Sequence, residues 1–374
     1  MDSQLLTDWL QLINTDGVGP KTFEQYLQKF SSAANALAYL AKSKKIFTKT
    51  QAEDEIYTAE KFGAVIITKQ DNLYPENLRH IADAPPVLYL KGRTDLLSYP
   101  AILGIVGSRN ASVTGRKIAS KIAYDLTNAE VLVASGLARG IDSAAHKGAM
   151  YAKDQKGPTI AVLGTGLDVC YPKENEDLYE QIMQTGLLVS EYPFHTEPLT
   201  QNFPRRNRII SGISAGVLVV EAGLNSGSLI TAKTALEQGK DIFAVPGSPI
   251  DERSAGANKL IKDGAYLTES AEDILQILKI TQNRQLKTFC QADLFSKSLD
   301  KQKKSDNIPQ ETEKFSGSVL SLIGAEGIEQ DALIRASKRS PVEVMTELTE
   351  LELEGIIKRQ NGSYIVLTNT RKHK

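Results

Sequence analysis

Between Ala101 and Leu267, short unbroken apolar runs alternate with segments whose apolar positions recur at helical spacing. The runs predict strands over residues 102–106, 131–135, 159–163, 187–190, 217–221 and 242–245. The segments between them predict helices over 112–128, after Asp142, and near 178–183, 206–211 and 229–238. Strands that are apolar throughout, each followed by a helix, belong to a parallel sheet covered on both faces. In such sheets ligands bind beyond the carboxyl ends of the strands. The turns at those ends therefore hold the candidate chemistry.

The flanks follow other patterns. Residues 1–65 read as short helices, interrupted by Gly17-Val18-Gly19-Pro20 ahead of Phe23, Tyr26, Leu27 and Phe30. A Gly-x-Gly turn opening a helix is similar to a helix-hairpin-helix unit, although glycine stops ordinary helices too. Residues 281–314 lose apolar side chains, as in Asp300-Lys301-Gln302-Lys303-Lys304-Ser305-Asp306, and read as a linker. Over 315–374 come three helical patterns, 319–323, 330–336 and 341–353, then a hairpin through Ile356–Arg359, Asn361-Gly362 and Tyr364–Leu367. Three helices and a hairpin describe a winged helix. The expected architecture is α/β: an extended Rossmann-like sheet domain over 66–280, a SAM/helix-hairpin-helix-like domain before it and a winged helix after the linker.

At 374 residues the chain suits two or three domains. Its 44 Lys and Arg against 45 Asp and Glu exclude a uniformly basic polyanion binder, so any nucleic-acid surface must be a local concentration of charge. Cys170 and Cys290 make no disulfide framework and lack metal-site spacing with the four histidines, which fits a reducing cytoplasm. Met1 to Leu12 mixes Asp2, Asp8 and Gln11 among apolar residues and is neither a signal peptide nor a membrane span. No metal or cofactor is expected. The strand-end turns carry no complete Gly-x-Gly-x-x-Gly, and no Gly-x-x-x-x-Gly-Lys-Ser/Thr occurs, which disfavours nicotinamide cofactors and ATP hydrolysis.

The turns themselves pair glycine with cationic or hydroxyl side chains. Gly107-Ser108-Arg109 ends the first strand, and the Ser135–Asp142 turn carries Arg139. Gly164-Thr165-Gly166 follows the third strand, with Lys173 after Tyr171-Pro172. Arg205, Arg206, Asn207 and Arg208 form a dense cationic run, and Gly227-Ser228 opens a helix containing Thr231 and Lys233. Glycine permits close backbone approach, and a helix N-terminus offers free N–H groups to an anion. Arg109 ranks first, because a guanidinium matches phosphate oxygens and can stack on a base. Three adjacent arginines repel one another unless an anion or carboxylate sits among them, so one of the three is expected to pair within the protein. His146 lies four residues after Asp142 on a helix, and a structural contact between them is expected rather than catalysis.

These blocks resemble the DprA/Smf family of DNA-processing proteins of natural transformation. The resemblance runs through Tyr74-Pro75-Glu76-Asn77-Leu78, Ala84–Gly92, Ile105–Arg109, Ser135–Asp142, Phe203–Gly212 and Val245-Pro246-Gly247. It implies a homodimer that binds single-stranded DNA, protects it and delivers it to RecA recombinase, without catalysis. It also places strand-binding roles on Arg109 and Lys173. A base-stacking aromatic near the lysine loop is implied, with Tyr171 and Tyr179 as candidates in no diagnostic place. Helix 271–280 is the candidate dimer surface.

Two further readings accompany it. The fold also resembles lysine-decarboxylase-like phosphoribohydrolases, which cleave nucleoside monophosphates, but the stretch Ala222–Thr231 has no carboxylate before Glu237 to act as their acid. In the C-terminal domain, residues 340–354 carry Glu343, Glu347, Glu350, Glu352 and Glu354 and no Lys or Arg. Duplex phosphates repel such a helix, so this module is expected to bind protein or its own partner subunit.

Overall fold

The computed structural model describes residues 3–278, 323, 328–337, 344, 346–348, 351–352, 356–360 and 363–366. The chain forms two compact units, Met1–Gln291 and Ala292–Lys374. The linker at 281–314, the helical pattern at 319–322 and most of the acidic stretch at 340–354 lie outside the described residues.

The first unit begins with helices α1 (Ser3–Ile13), α2 (Pro20–Phe30), α3 (Ala33–Leu40) and α4 (Lys49–Phe62). Pro20 starts α2 where its missing N–H costs nothing, and α4 opens on a reciprocal Thr48–Gln51 capping box. Trp9 meets Phe23 edge-on with ring centres 4.9 Å apart. The helices share one buried apolar cluster with Tyr89, Leu163, Leu188 and Phe194 of the sheet region. Glu55 adds a polar tie, accepting from the Phe194 N–H at 2.7 Å.

The sheet contains β1 (Val65–Thr68), β2 (Val87–Gly92), β3 (Ile102–Gly107), β4 (Leu132–Ser135), β5 (Thr159–Val162), β6 (Leu187–Ser190), β7 (Gly216–Val220), β8 (Asp241–Ala244) and β9 (Tyr266–Leu267). Their spatial order is β1-β2-β6-β5-β4-β3-β7-β8-β9. Every pairing from β6 to β9 is parallel, as the apolar runs predict. The sheet is nevertheless mixed, because β1 and β2 add to its edge antiparallel. These two arise from residues the periodicity left unassigned. A one-turn helix, α5 (Glu76–Arg79), is the helix between them, too short for the crossover that parallel strands need.

Helices α6 (Val113–Asn128), α7 (Ile141–Gln155), α8 (Glu176–Thr185), α9 (Asn202–Ile213), α10 (Gly227–Glu237), α11 (Ala255–Lys262) and α12 (271–278) complete the unit. The ninth helix starts four residues earlier than its predicted position, which places Phe203 through Arg208 on helical turns. Ala271, Ile274 and Leu278 of α12 are buried in a cluster with Leu103, Val133 and Phe243, so its apolar face serves this chain's own core.

In the second unit, strands β10 (Ile328–Glu329), β11 (Ile357–Gln360) and β12 (Ser363–Val366) pair in the order β10-β12-β11, with α13 (Gln330–Ser337) between β10 and β11 in sequence. Leu333, Val344, Leu348, Ile357 and Tyr364 form its core. The β11–β12 hairpin is the wing that the sequence pattern anticipates. No helix among the described residues is long and apolar enough to cross a membrane.

Candidate nucleic-acid interface

Strand β3 lies between β4 and β7, and the chain proceeds outward through β4, β5 and β6 before returning to β7. The carboxyl ends of β3 and β7 thus flank the point where strand order reverses, the place where open α/β sheets form ligand crevices. A groove of about 880 Å³ occupies it. Gly107, Ser108, Arg109, Asn207, Gly227, Ser228 and Thr231 line this groove, as expected from the sequence.

Arg109 and Phe203 form its most distinctive feature. The exposed guanidinium carbon of Arg109 lies 5.3 Å from the centre of the Phe203 ring. On the same ring packs Tyr171, with centroids 5.3 Å apart and planes inclined by 37°. Arg109, Phe203 and Tyr171 therefore make a contiguous cluster of flat groups suited to stacking. Gly164 makes room for it: a Cβ there would stand 2.9 Å from the Phe203 ring. Sequence reasoning missed Phe203, although it opens the Phe-Pro-Arg-Arg run that drew attention for its charge. Of the two tyrosines in question, Tyr171 is exposed, whereas Tyr179 is buried and donates its hydroxyl to the Leu167 carbonyl.

The arginine run does not converge on the groove. On α9, at 100° per residue, Arg206 points away from Arg205 and Arg208, which lie three residues apart on one face and line a separate cleft. Arg206 is buried in the groove floor and donates to the Val162 carbonyl. Arg208 is buried elsewhere, paired with Glu191 and, at 3.3 Å, with Asp83. Arg205 is exposed beside the 13–22 turn of the helical region, in a separate cleft. So one arginine of the three, Arg208, pairs with local carboxylates as expected, and Arg206 is held by a backbone carbonyl instead. Burial pulls the Arg206 pKa down to about 10, an effect that Asp142 opposes and Arg109 reinforces. It remains a cation at neutral pH, and its Nε has no partner.

The other expected residues are more scattered. Arg139 lines an adjoining cavity with Arg109, Tyr171 and Phe203, and pairs with Glu174 at 3.0 Å. Lys173 is exposed on a short 3-10 turn, and neither it nor Gly166 is among the groove's lining residues. Lys233 lies 3.9 Å from Glu237 along the exposed side of α10. The start of α10 is better placed: Ser226 caps it through the Ser228 N–H, and the two hydroxyls are 2.6 Å apart. The Thr231 hydroxyl, fully buried in the groove wall, has no partner. A helix N-terminus, hydroxyls and cations around one crevice suit phosphate oxygens.

The expected contact between His146 and Asp142 is replaced by two separate ones. Asp142 accepts from the backbone N–H groups of Gly136 at 3.1 Å and Ala138 at 3.4 Å, fixing the turn before α7. His146 Nδ1 instead lies 2.8 Å from the Thr159 hydroxyl, which donates to the Val133 carbonyl at 2.8 Å. That proton's direction makes Nδ1 the donor and leaves Nε2 bare. Burial, aided by Arg206, pushes the histidine pKa down to about 3. The unfolded chain takes up a proton near pH 6.5 while the folded one does not, so stability falls as pH drops from 6.5 toward 3. By pH 5 the loss is about 2 kcal/mol from this residue. Urea unfolding of parent and His146→Gln at pH 7 and pH 5 checks it: the variant should lack that share of the pH dependence.

A helical region, an extended Rossmann-like sheet with a cationic, aromatic crevice at its switch point, and a winged helix together define a class of DNA-handling protein. The comparisons narrow it. The family profile described as DNA recombination-mediator protein A matches residues 65–279, the DprA-like N-terminal HHH domain matches 4–57, and the DprA winged helix domain matches 303–363. Protein Smf of Escherichia coli is 38% identical over 325 residues, covering 86% of this chain and 82% of Smf. The X-ray structure of DprA from Streptococcus pneumoniae, 37% identical, superposes with a TM-score of 0.62 over 72% of this chain and 97% of that one. A Helicobacter pylori DprA structure, described in terms of its single-stranded DNA binding mode, is 27% identical with a TM-score of 0.53, covering 58% and 96%. The chain belongs to the DprA/Smf family.

Proposed function

We propose that this protein binds single-stranded DNA in the switch-point groove, shelters it and hands it to RecA recombinase during natural transformation. It acts in the cytoplasm as a homodimer and without chemical turnover. The observation that carries the reading is the Arg109–Phe203–Tyr171 cluster beside the N-terminus of α10 and its hydroxyls: bases stack on the former and phosphates bind the latter. The single-stranded DNA binding mode described for the H. pylori protein supports it. We assign residues 1–65, 66–280, 281–314 and 315–374 to helical domain, DNA-binding domain, linker and winged helix. The acidic winged helix contacts protein rather than duplex DNA.

Phosphates carry no sequence information, so binding should be insensitive to sequence. With about four phosphates neutralised, log affinity should fall against log salt with a slope near −3 on single strands. Fluorescence anisotropy at several salt concentrations, on single- and double-stranded oligonucleotides, measures this. A flat salt response or a preference for duplex contradicts the proposal. The glycosidase alternative draws no support from α10, whose Glu237 stands at the end far from the groove beside Lys233.

A further inference from the structure

Helices α6 and α7 both rise from the groove. The Gly107–Asn110 turn leads into α6 through its Ser112 cap, and Gly140 leads into α7, whose Asp142 lines the groove. Gly148 lets the two helices touch, since a Cβ there would strike the Ser120 backbone. Outside that contact runs a furrow of about 610 Å³ that begins at Val113 and Ser143, next to the groove, and ends at Tyr124 and Tyr151. From Val113 to Tyr124 the helical rise gives it a length of about 16 Å.

Its lining is unusual for a chain of net charge −1. Arg116, Lys117, Lys121 and Lys147 lie along it, all exposed: Arg116 adjoins Lys117, Lys121 follows one turn later on α6, and Lys147 stands on α7. The acid that meets them is Asp125, 2.9 Å from Lys121. Among the described residues, Lys117 and Lys147 have no ion-pair partner. Tyr124 and Tyr151 are 43% and 64% exposed, well beyond what packing two helices requires. Cations along a furrow that ends in two exposed aromatic rings match an unpaired polynucleotide, because stacking needs bases that are free of a complementary strand.

We propose that the furrow between α6 and α7 is a second contact segment for single-stranded nucleic acid. The four cations hold successive phosphates, and Tyr124 and Tyr151 receive bases as the strand leaves the switch-point groove. The inference rests on the groove being a strand-binding site, and strand length separates the two. An oligonucleotide of about 6 nucleotides is short enough for the groove alone, whereas one of about 20 also reaches the furrow.

The test is anisotropy with the full chain and both probes. In the Lys117→Glu/Lys147→Glu variant, affinity for the long strand should fall about tenfold and its salt slope should flatten by about 1.4, while affinity for the short strand stays unchanged. Asp125→Asn, which frees Lys121, should tighten long-strand binding about twofold, a gain that impaired folding cannot produce. Equal long-strand affinity in parent and charge-reversed proteins overturns the proposal, as does equal weakening on both lengths. A fall in particle mass by light scattering would overturn it too, by showing that the furrow joins copies of this chain. Arg109→Ala serves as the separate control: unchanged short-strand binding in that variant defeats the groove reading without touching the long-strand comparison.

Discussion

Arg109→Ala should bind single-stranded DNA about 100-fold more weakly than the parent protein. A charge-assisted hydrogen bond to phosphate contributes roughly 1.5–3 kcal/mol, and an exposed cation over an aromatic ring about 0.5–1 kcal/mol more. Both go with the guanidinium, which stands 5.3 Å above Phe203. Losing one phosphate contact should also flatten the salt slope by about 0.7. Thermal stability should be unaltered, since the side chain is exposed and anchors no buried group. Arg109→Lys retains the charge without the planar fork and should fall between the two, about tenfold weaker than the parent. Salt-titrated anisotropy with all three proteins decides the matter. Parent-like binding by the alanine variant would mean that the strand lies elsewhere.

The second large effect is on stability and comes from Arg208. This buried guanidinium is shared between Glu191, which follows β6, and Asp83, which precedes β2, so it ties α9 to two neighbouring strands. Arg208→Ala leaves Glu191 buried and unpaired, a change that costs about 3–5 kcal/mol. The melting temperature should drop by roughly 10 °C. Arg205→Ala, three residues away and exposed, should stay within about 0.5 kcal/mol of the parent. A pH series adds a sign. Burial already raises the Glu191 pKa and Arg208 opposes that rise. Without Arg208 the carboxyl is harder still to ionise, so the deficit is full above its folded pKa and shrinks as acid neutralises it. Replacing both members, as in Arg208→Met/Glu191→Gln, should restore most of the loss. If Arg208→Ala melts like Arg205→Ala, the buried pair contributes nothing.

These two arginines show how far the sequence carries. Turn chemistry is legible because it is local: Gly107-Ser108-Arg109 and Asn225–Thr231 announce their roles by residue type, and the strand–helix alternation places both on one sheet edge. Helical phase is a different matter. Arginines adjacent in sequence look like one cationic patch, yet a rotation of 100° per residue sends Arg206 to a groove floor and Arg205 and Arg208 to a separate cleft, where Arg208 is held in an ion pair. Tertiary partners are equally hidden. His146 faces Thr159 across a strand rather than the aspartate one turn away on its own helix. Strands β1 and β2 escaped notice because an antiparallel edge pair needs no regular helix between its members. Phe203 was read for the company it keeps, yet its ring lines the groove against Arg109 and Tyr171.

Arg206 adds a property of another kind. It sits beneath the crevice with Nε unpartnered, and the nearby Arg109 makes its charge harder to sustain. Folding therefore builds an electrostatic discomfort into the sheet's upper edge, and a polyanion bound there would relieve it. Molecules carrying cargo should consequently outlast empty ones under heat or proteolysis, which would make persistence in the cell a function of load.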